Sequence, residues 1–62
     1  MDFYAILDQV VALLRQRQRV TYQALKRQFA LDDDYIKDLQ EALLYAHVPV
    51  IVEEGRGLVW RG

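Results

Sequence analysis

Residues 31 to 41, LDDDYIKDLQE, hold the densest run of potential ligands in the chain: Asp32, Asp33, Asp34, Asp38 and Glu41. Carboxylates this close raise the question of a calcium loop. Such a loop needs oxygen ligands at alternate positions, a glycine at the sixth and a glutamate at the twelfth. Counted from Asp32, Asp34 fits the third position, but Ile36 takes the fifth and Lys37 the place of the glycine. His47 is the one histidine, so no helical pair of imidazoles exists to hold a transition metal. It reads as a helix C-terminal residue, where its partial charge suits the dipole. No metal and no cofactor are expected.

Covalent chemistry has as little to work with. The sequence has no cysteine and no serine, and Thr21 is more economically a helix cap than a nucleophile. Its acids fall on helix surfaces, and a domain this small has little volume for a substrate pocket. "GRG" belongs to a turn and lacks the form of a phosphate loop. The isolated chain is expected to be non-catalytic, with no catalytic residue to name.

These side chains need elements to hold them. Asp2 caps a first helix, along which Phe3, Ile6, Leu7, Val10, Leu13 and Leu14 form one buried stripe. The pattern ends in RQRQR. Val20 and Thr21 suit a short extended stretch, and Thr21 then caps a second helix whose buried side is Ala24, Leu25 and Phe29. A third helix starts at Asp32 or Asp33. Ile36, Leu39, Leu43 and Ala46 lie on one side, with Tyr35 and Leu44 at the edges. It is expected to end near His47, because Pro49 restricts Val48 to extended backbone. VPVIVEEGRGLVW reads as two strands around EEGRG, whose two glycines can supply positive φ.

A two-stranded hairpin is marginal alone, so Val50, Val52, Leu58 and Trp60 must pack onto the helices. The expected fold is therefore α+β: a small winged helix, with a three-helix helix-turn-helix core and a C-terminal β-hairpin wing. It is a single domain over residues 1–62, with helices over about 2–17, 22–29 and 33–47 and a hairpin over about 50–60. Trp60 and at least two of the tyrosines should complete the core.

The composition agrees with one small, ordered domain. Sixty-two residues bury only about 60% of their unfolded surface, so the margin of stability is narrow. The absence of cysteine fits a reducing compartment. The N-terminal segment lacks a basic leader and a cleavage site, and no run reaches the ~18 apolar residues of a membrane span. A cytoplasmic chain with no membrane partner is expected.

Net charge is −1, but it is unevenly placed. Arg15, Arg17, Arg19, Lys26 and Arg27 form a basic block without acids, and the acidic block from Asp32 to Glu41 follows. In a winged helix the third helix usually enters the major groove. Its outward residues here are Asp33, Asp34, Lys37, Asp38 and Glu41, a set that phosphates repel. Asp32 to Asp34 gain from the helix dipole, typically ~0.3–1 kcal/mol, but Asp38 and Glu41 lie beyond its reach. Nucleic acid is thus the less favoured partner. Its alternative contacts would be Arg17, Arg19, Lys26 and Arg27, with Arg56 in the wing. The plainer reading of these is a solvated helix end and outer face, since DNA-binding domains are usually strongly basic.

RVTYQALKRQF followed by LDDDYIKDLQ, with the terminal EEGRGLVW, resembles the N-terminal segment of large bacterial signalling proteins. In these an adenylate/guanylate cyclase-type domain is followed by an AAA-type ATPase module and TPR-like repeats. The resemblance covers nearly all of the chain. It implies a regulatory domain from the front of a larger protein, or a stand-alone relative. It carries over no catalytic residue. The expected function is a protein-interaction or regulatory module. Its partner would be a protein or another domain of a parent chain, and its acidic and basic faces would also permit self-association.

Overall fold

The computed structural model describes residues 2–62. Met1, which the expected domain span includes, lies outside the described residues. α1 (Phe3–Arg17) starts where the Asp2 carboxylate accepts the Ala5 amide at 2.7 Å. Ile6, Leu7, Val10 and Leu14 are buried along it, as the spacing requires. Gln18, at φ 72°, turns the chain into β1 (Arg19–Thr21). The Thr21 hydroxyl accepts the Ala24 amide at 3.1 Å and opens α2 (Tyr22–Phe29).

On α2 the expected inner face needs correction. Leu25 is buried and Phe29 half-buried, but Ala24 is exposed. A helix advances about 100° per residue, so Tyr22, Leu25 and Phe29 form the inward stripe and Ala24 falls outside it. The left-handed Ala30 (φ 55°) ends the helix, and the Leu31 amide returns to the Lys26 carbonyl at 3.0 Å. Asp32 then caps α3 (Asp33–Tyr45) by accepting the Tyr35 amide at 2.8 Å. The turn between the two helices is therefore the short Ala-Leu-Asp connection.

α3 is shorter than its apolar pattern suggested. It stops at Tyr45, with Ala46 an exposed cap and His47 left-handed at φ 58°. His47 donates its amide to Leu44 at 3.1 Å and Val48 donates to Leu43 at 3.0 Å. These two bonds form a Schellman closure. Pro49 forces extended backbone at Val48, so the reversal falls on His47, which lies beyond the helix. A histidine with positive φ is strained where glycine is not. His47→Gly is expected to raise stability by about 1 kcal/mol in urea unfolding, through that relief.

β2 (Val50–Glu53) and β3 (Gly57–Trp60) form the hairpin. The short extended stretch does more than connect, because β1 joins them. The sheet is three-stranded and antiparallel, in the order β1-β3-β2. Val20 pairs with Leu58 and Leu58 with Val52, while Val50 pairs with Trp60. Alternation aims these five at the helices and leaves Arg19, Ile51 and Val59 on the opposite face. The Trp60 amide reaches Gln18 at 2.6 Å and the Tyr22 amide reaches Arg56 at 2.8 Å, framing the β1–β3 pairing. One core cluster runs from Ile6 to Leu58, with Trp60, Tyr22 and Tyr35 packed partly buried against it. Trp60 and two tyrosines thus complete the core.

The two turn glycines act differently from the expectation that both supply positive φ. Gly55 has φ 72° at the third position of a turn closed by the Arg56 amide on Glu53 at 3.0 Å, the mark of a type II turn. Gly57 has no positive φ. It is needed because a Cβ there would lie 2.2 Å from the Val20 carbonyl oxygen and 2.7 Å from Thr21 Cα.

Candidate interaction surface

Ile36, Leu39 and Leu43 turn inward on α3. Their spacing leaves Asp34, Lys37, Asp38 and Glu41 on the solvent side, and all are exposed. Asp33 is exposed as well but is engaged differently. Lys26, half-buried on α2, pairs its ammonium with the Asp33 carboxylate across the helix connection. The basic and acidic blocks of the sequence are thus partly closed on each other.

The hydrogen bond from Lys26, reinforced by its charge, lowers the Asp33 pKa below the usual aspartate range. A depressed carboxylate stabilises the fold above its unfolded pKa, and that contribution is lost as pH falls through the folded value. At so exposed a site the effect on stability is small. Lys26→Met is expected to move the Asp33 midpoint up towards the ordinary value of about 3.9, read from carboxyl carbon shifts in an NMR titration.

The basic candidates are dispersed. Arg19 meets Glu53 across β3 at 3.4 Å, an exposed pair of little energetic weight. Arg17 and Arg19 line one shallow hollow, and Arg19 and Arg56 another at the β1–β3 edge. Lys26 and Arg27 line neither. Arg17, Arg27 and Arg56 are exposed, without an ion pair among the described residues.

Two residues of this surface were not among the site residues expected from the sequence. Leu44 is 54% exposed and Tyr45 87% exposed. The signal was present, since both lie three and four residues beyond Glu41 and so continue the outward acidic stripe. Lys37, Gln40, Glu41, Leu44, Tyr45 and His47 line an open hollow on one flank of that stripe. Phe3, Asp38, Glu41, Ala42 and Tyr45 line a second on the other.

A buried group lies outside this surface. The Tyr22 hydroxyl is sequestered, with Gln40 nearby but no well-formed hydrogen bond to it. Burial pushes its pKa above the ordinary tyrosine range, Gln40 offsets part of that rise, and the charges of Glu54 and Glu53 add to it. The raised pKa favours the neutral phenol, so the fold loses stability as pH rises through the folded value. Because an unsatisfied buried hydroxyl is unfavourable, Tyr22→Phe is expected to stabilise the chain by about 1 kcal/mol at neutral pH, and thermal unfolding would register it.

Among the described residues, no three or more acidic or histidine side chains come together in a way that could hold a metal ion. No described helix is long and apolar enough to cross a membrane. Comparison with protein-family models, curated proteins and solved structures gave no match.

Proposed function

We propose that the chain is a non-catalytic winged-helix module that binds a protein, or another domain of a larger signalling protein, through α3. The element order helix-strand-helix-helix-strand-strand, the sheet order β1-β3-β2 and the short α2–α3 connection support the winged-helix reading. One observation carries the functional part. The outward face of α3 combines Asp34, Asp38 and Glu41 with the exposed Leu44 and Tyr45. Phosphates are repelled by such a face, whereas an exposed tyrosine beside an apolar residue suits a protein contact.

The regulatory side of the reading extends the resemblance to the front of cyclase-type signalling proteins. A cyclase-type or ATPase domain encoded downstream of Gly62 is the result it expects. The alternative is a DNA-binding domain using Arg17, Arg19, Lys26, Arg27 and Arg56, of which Arg17, Arg27 and Arg56 have no ion pair among the described residues. Titration with non-specific duplex DNA at low salt separates the two. The interaction reading expects no saturable binding. Binding that falls steeply with salt and weakens on changing Arg27 would overturn it, because phosphate contacts release counterions in that way.

A further inference from the structure

The hollow between the first turn of α1 and the outer face of α3 has a chemistry of its own. Asp38, Glu41, Ala42 and Tyr45 are spaced i, i+3, i+4 and i+7, one continuous stripe of α3, and Phe3 closes the hollow from α1. Phe3 is held in place by neighbouring rings. Its centroid is 5.5 Å from that of Tyr35 and 5.5 Å from that of Tyr4, the latter edge-on at 87°. Neither Asp38 nor Glu41 has an ion-pair partner among the described residues. Two carboxylates and two aromatic rings thus line one small hollow beside an alanine methyl.

The geometry points to this hollow as the seat of a lysine or arginine side chain presented by a basic segment of the partner protein. This assignment rests on the interaction reading above and names the partner's chemistry. The methylene stem would lie against Phe3, Ala42 and Tyr45, and the cationic head would meet Asp38 and Glu41, with the rings adding cation–π attraction. A bare divalent cation is a poor match, since calcium takes six to eight oxygen ligands and two carboxylates supply few of them. An anionic ligand is repelled. Across the Glu41–Tyr45 ridge, Leu44 lines the other hollow, so an apolar residue next to the cationic one would complete the match.

The test is a nitrogen–proton NMR titration of the whole chain with an alanine-based helical peptide carrying lysine and leucine four residues apart. A twin peptide has glutamate in place of the lysine. The lysine peptide is expected to shift the amides of Phe3, Asp38, Glu41, Ala42 and Tyr45 saturably, and the glutamate twin to leave them in place. Changing Asp38→Asn with Glu41→Gln should weaken binding roughly fivefold or more, each partly exposed charge pair accounting for a few-fold. Both residues are exposed, and a melting curve of the double variant checks that it remains folded. Equal binding of the twins, shifts confined to another face, or no saturable shift would each overturn the assignment. So would shifts of the same amides on raising the concentration of the chain alone, which would place a second copy there. If the peptide fails while the chain also ignores DNA, only the cationic-segment assignment falls. DNA binding through Arg17, Arg27 and Arg56 would remove the interaction reading itself.

Discussion

Gly57→Ala is expected to leave much of the chain unfolded at room temperature, while Gly55→Ala, two residues away, should be tolerated. A Cβ on Gly57 would meet the Val20 carbonyl oxygen at 2.2 Å, Thr21 Cα at 2.7 Å and the Val20 carbonyl carbon at 2.9 Å. All three are backbone atoms, so no rotamer change can yield. Strand β1 must move away from β3, giving up the pairing of Thr21 with Gly57 and its neighbours. Overpacking typically costs about 1–3 kcal/mol, and a clash with backbone belongs at or above the upper end. A domain of this size rarely holds more than about 3–5 kcal/mol in total. Gly55 has nothing within 4 Å of a built Cβ but has φ 72°, so alanine there adds only strain, about 1 kcal/mol. Urea unfolding of both variants by circular dichroism provides the comparison. Equal costs would mean that β1 is not packed against β3 as described.

Leu43→Ala is expected to cost about 2–5 kcal/mol, again comparable to the whole stability of the domain. Leu43 is fully buried, in one cluster with Val10, Leu14, Leu25, Leu39 and Leu58. Its truncation removes methyl groups from the last turn of α3, where a short helix pinned at both ends has little freedom to collapse into the space. Leu44→Ala next to it should stay within about 0.5 kcal/mol, since surface substitutions seldom do more. A larger loss at Leu44 than at Leu43 would imply that α3 is rotated by about one residue step, near 100°. The acidic stripe would then no longer face solvent, and the functional reading would go with it.

Those two cases also mark where sequence patterning succeeded and where it stopped. The inward residues of α1 and α3 follow from their 3.6-residue spacing, and all three caps, Asp2, Thr21 and Asp32, were identifiable because a short polar side chain preceded each apolar run. The α2–α3 connection and the hairpin were equally plain. Patterning could not bring β1 into the sheet, because a three-residue strand carries almost no periodic signal and its partner lies far along the chain. Nor could it separate the roles of Gly55 and Gly57. One depends on local backbone conformation, and the other on a neighbour supplied only by the fold.

The candidate surface was partly visible in the same way. The exposed acids of α3 were in view from the sequence, since their spacing is complementary to that of the core. The pairing of Lys26 with Asp33 was not, because it depends on how the helix connection folds back. Which tyrosines would stay exposed could not be read from the sequence, because aromatics in so small a chain are ordinarily needed for the core; Trp60, Tyr22 and Tyr35 complete it and leave Tyr45 outside. Its exposure, with that of Leu44, gives an acidic helix face an apolar end.

If the outward face of α3 meets protein and excludes nucleic acid, as proposed, its carboxylates are what keep DNA away. Duplex DNA binding is therefore compared, across a range of salt, for the natural chain and for a variant carrying Asp34→Asn, Asp38→Asn and Glu41→Gln. Asp33 is left in place because its partner is Lys26. No saturable binding by the natural chain is expected under conditions where the neutralised variant begins to bind, with an affinity that falls as salt rises. Tight, salt-steep binding by the natural chain that neutralisation leaves unchanged would contradict it.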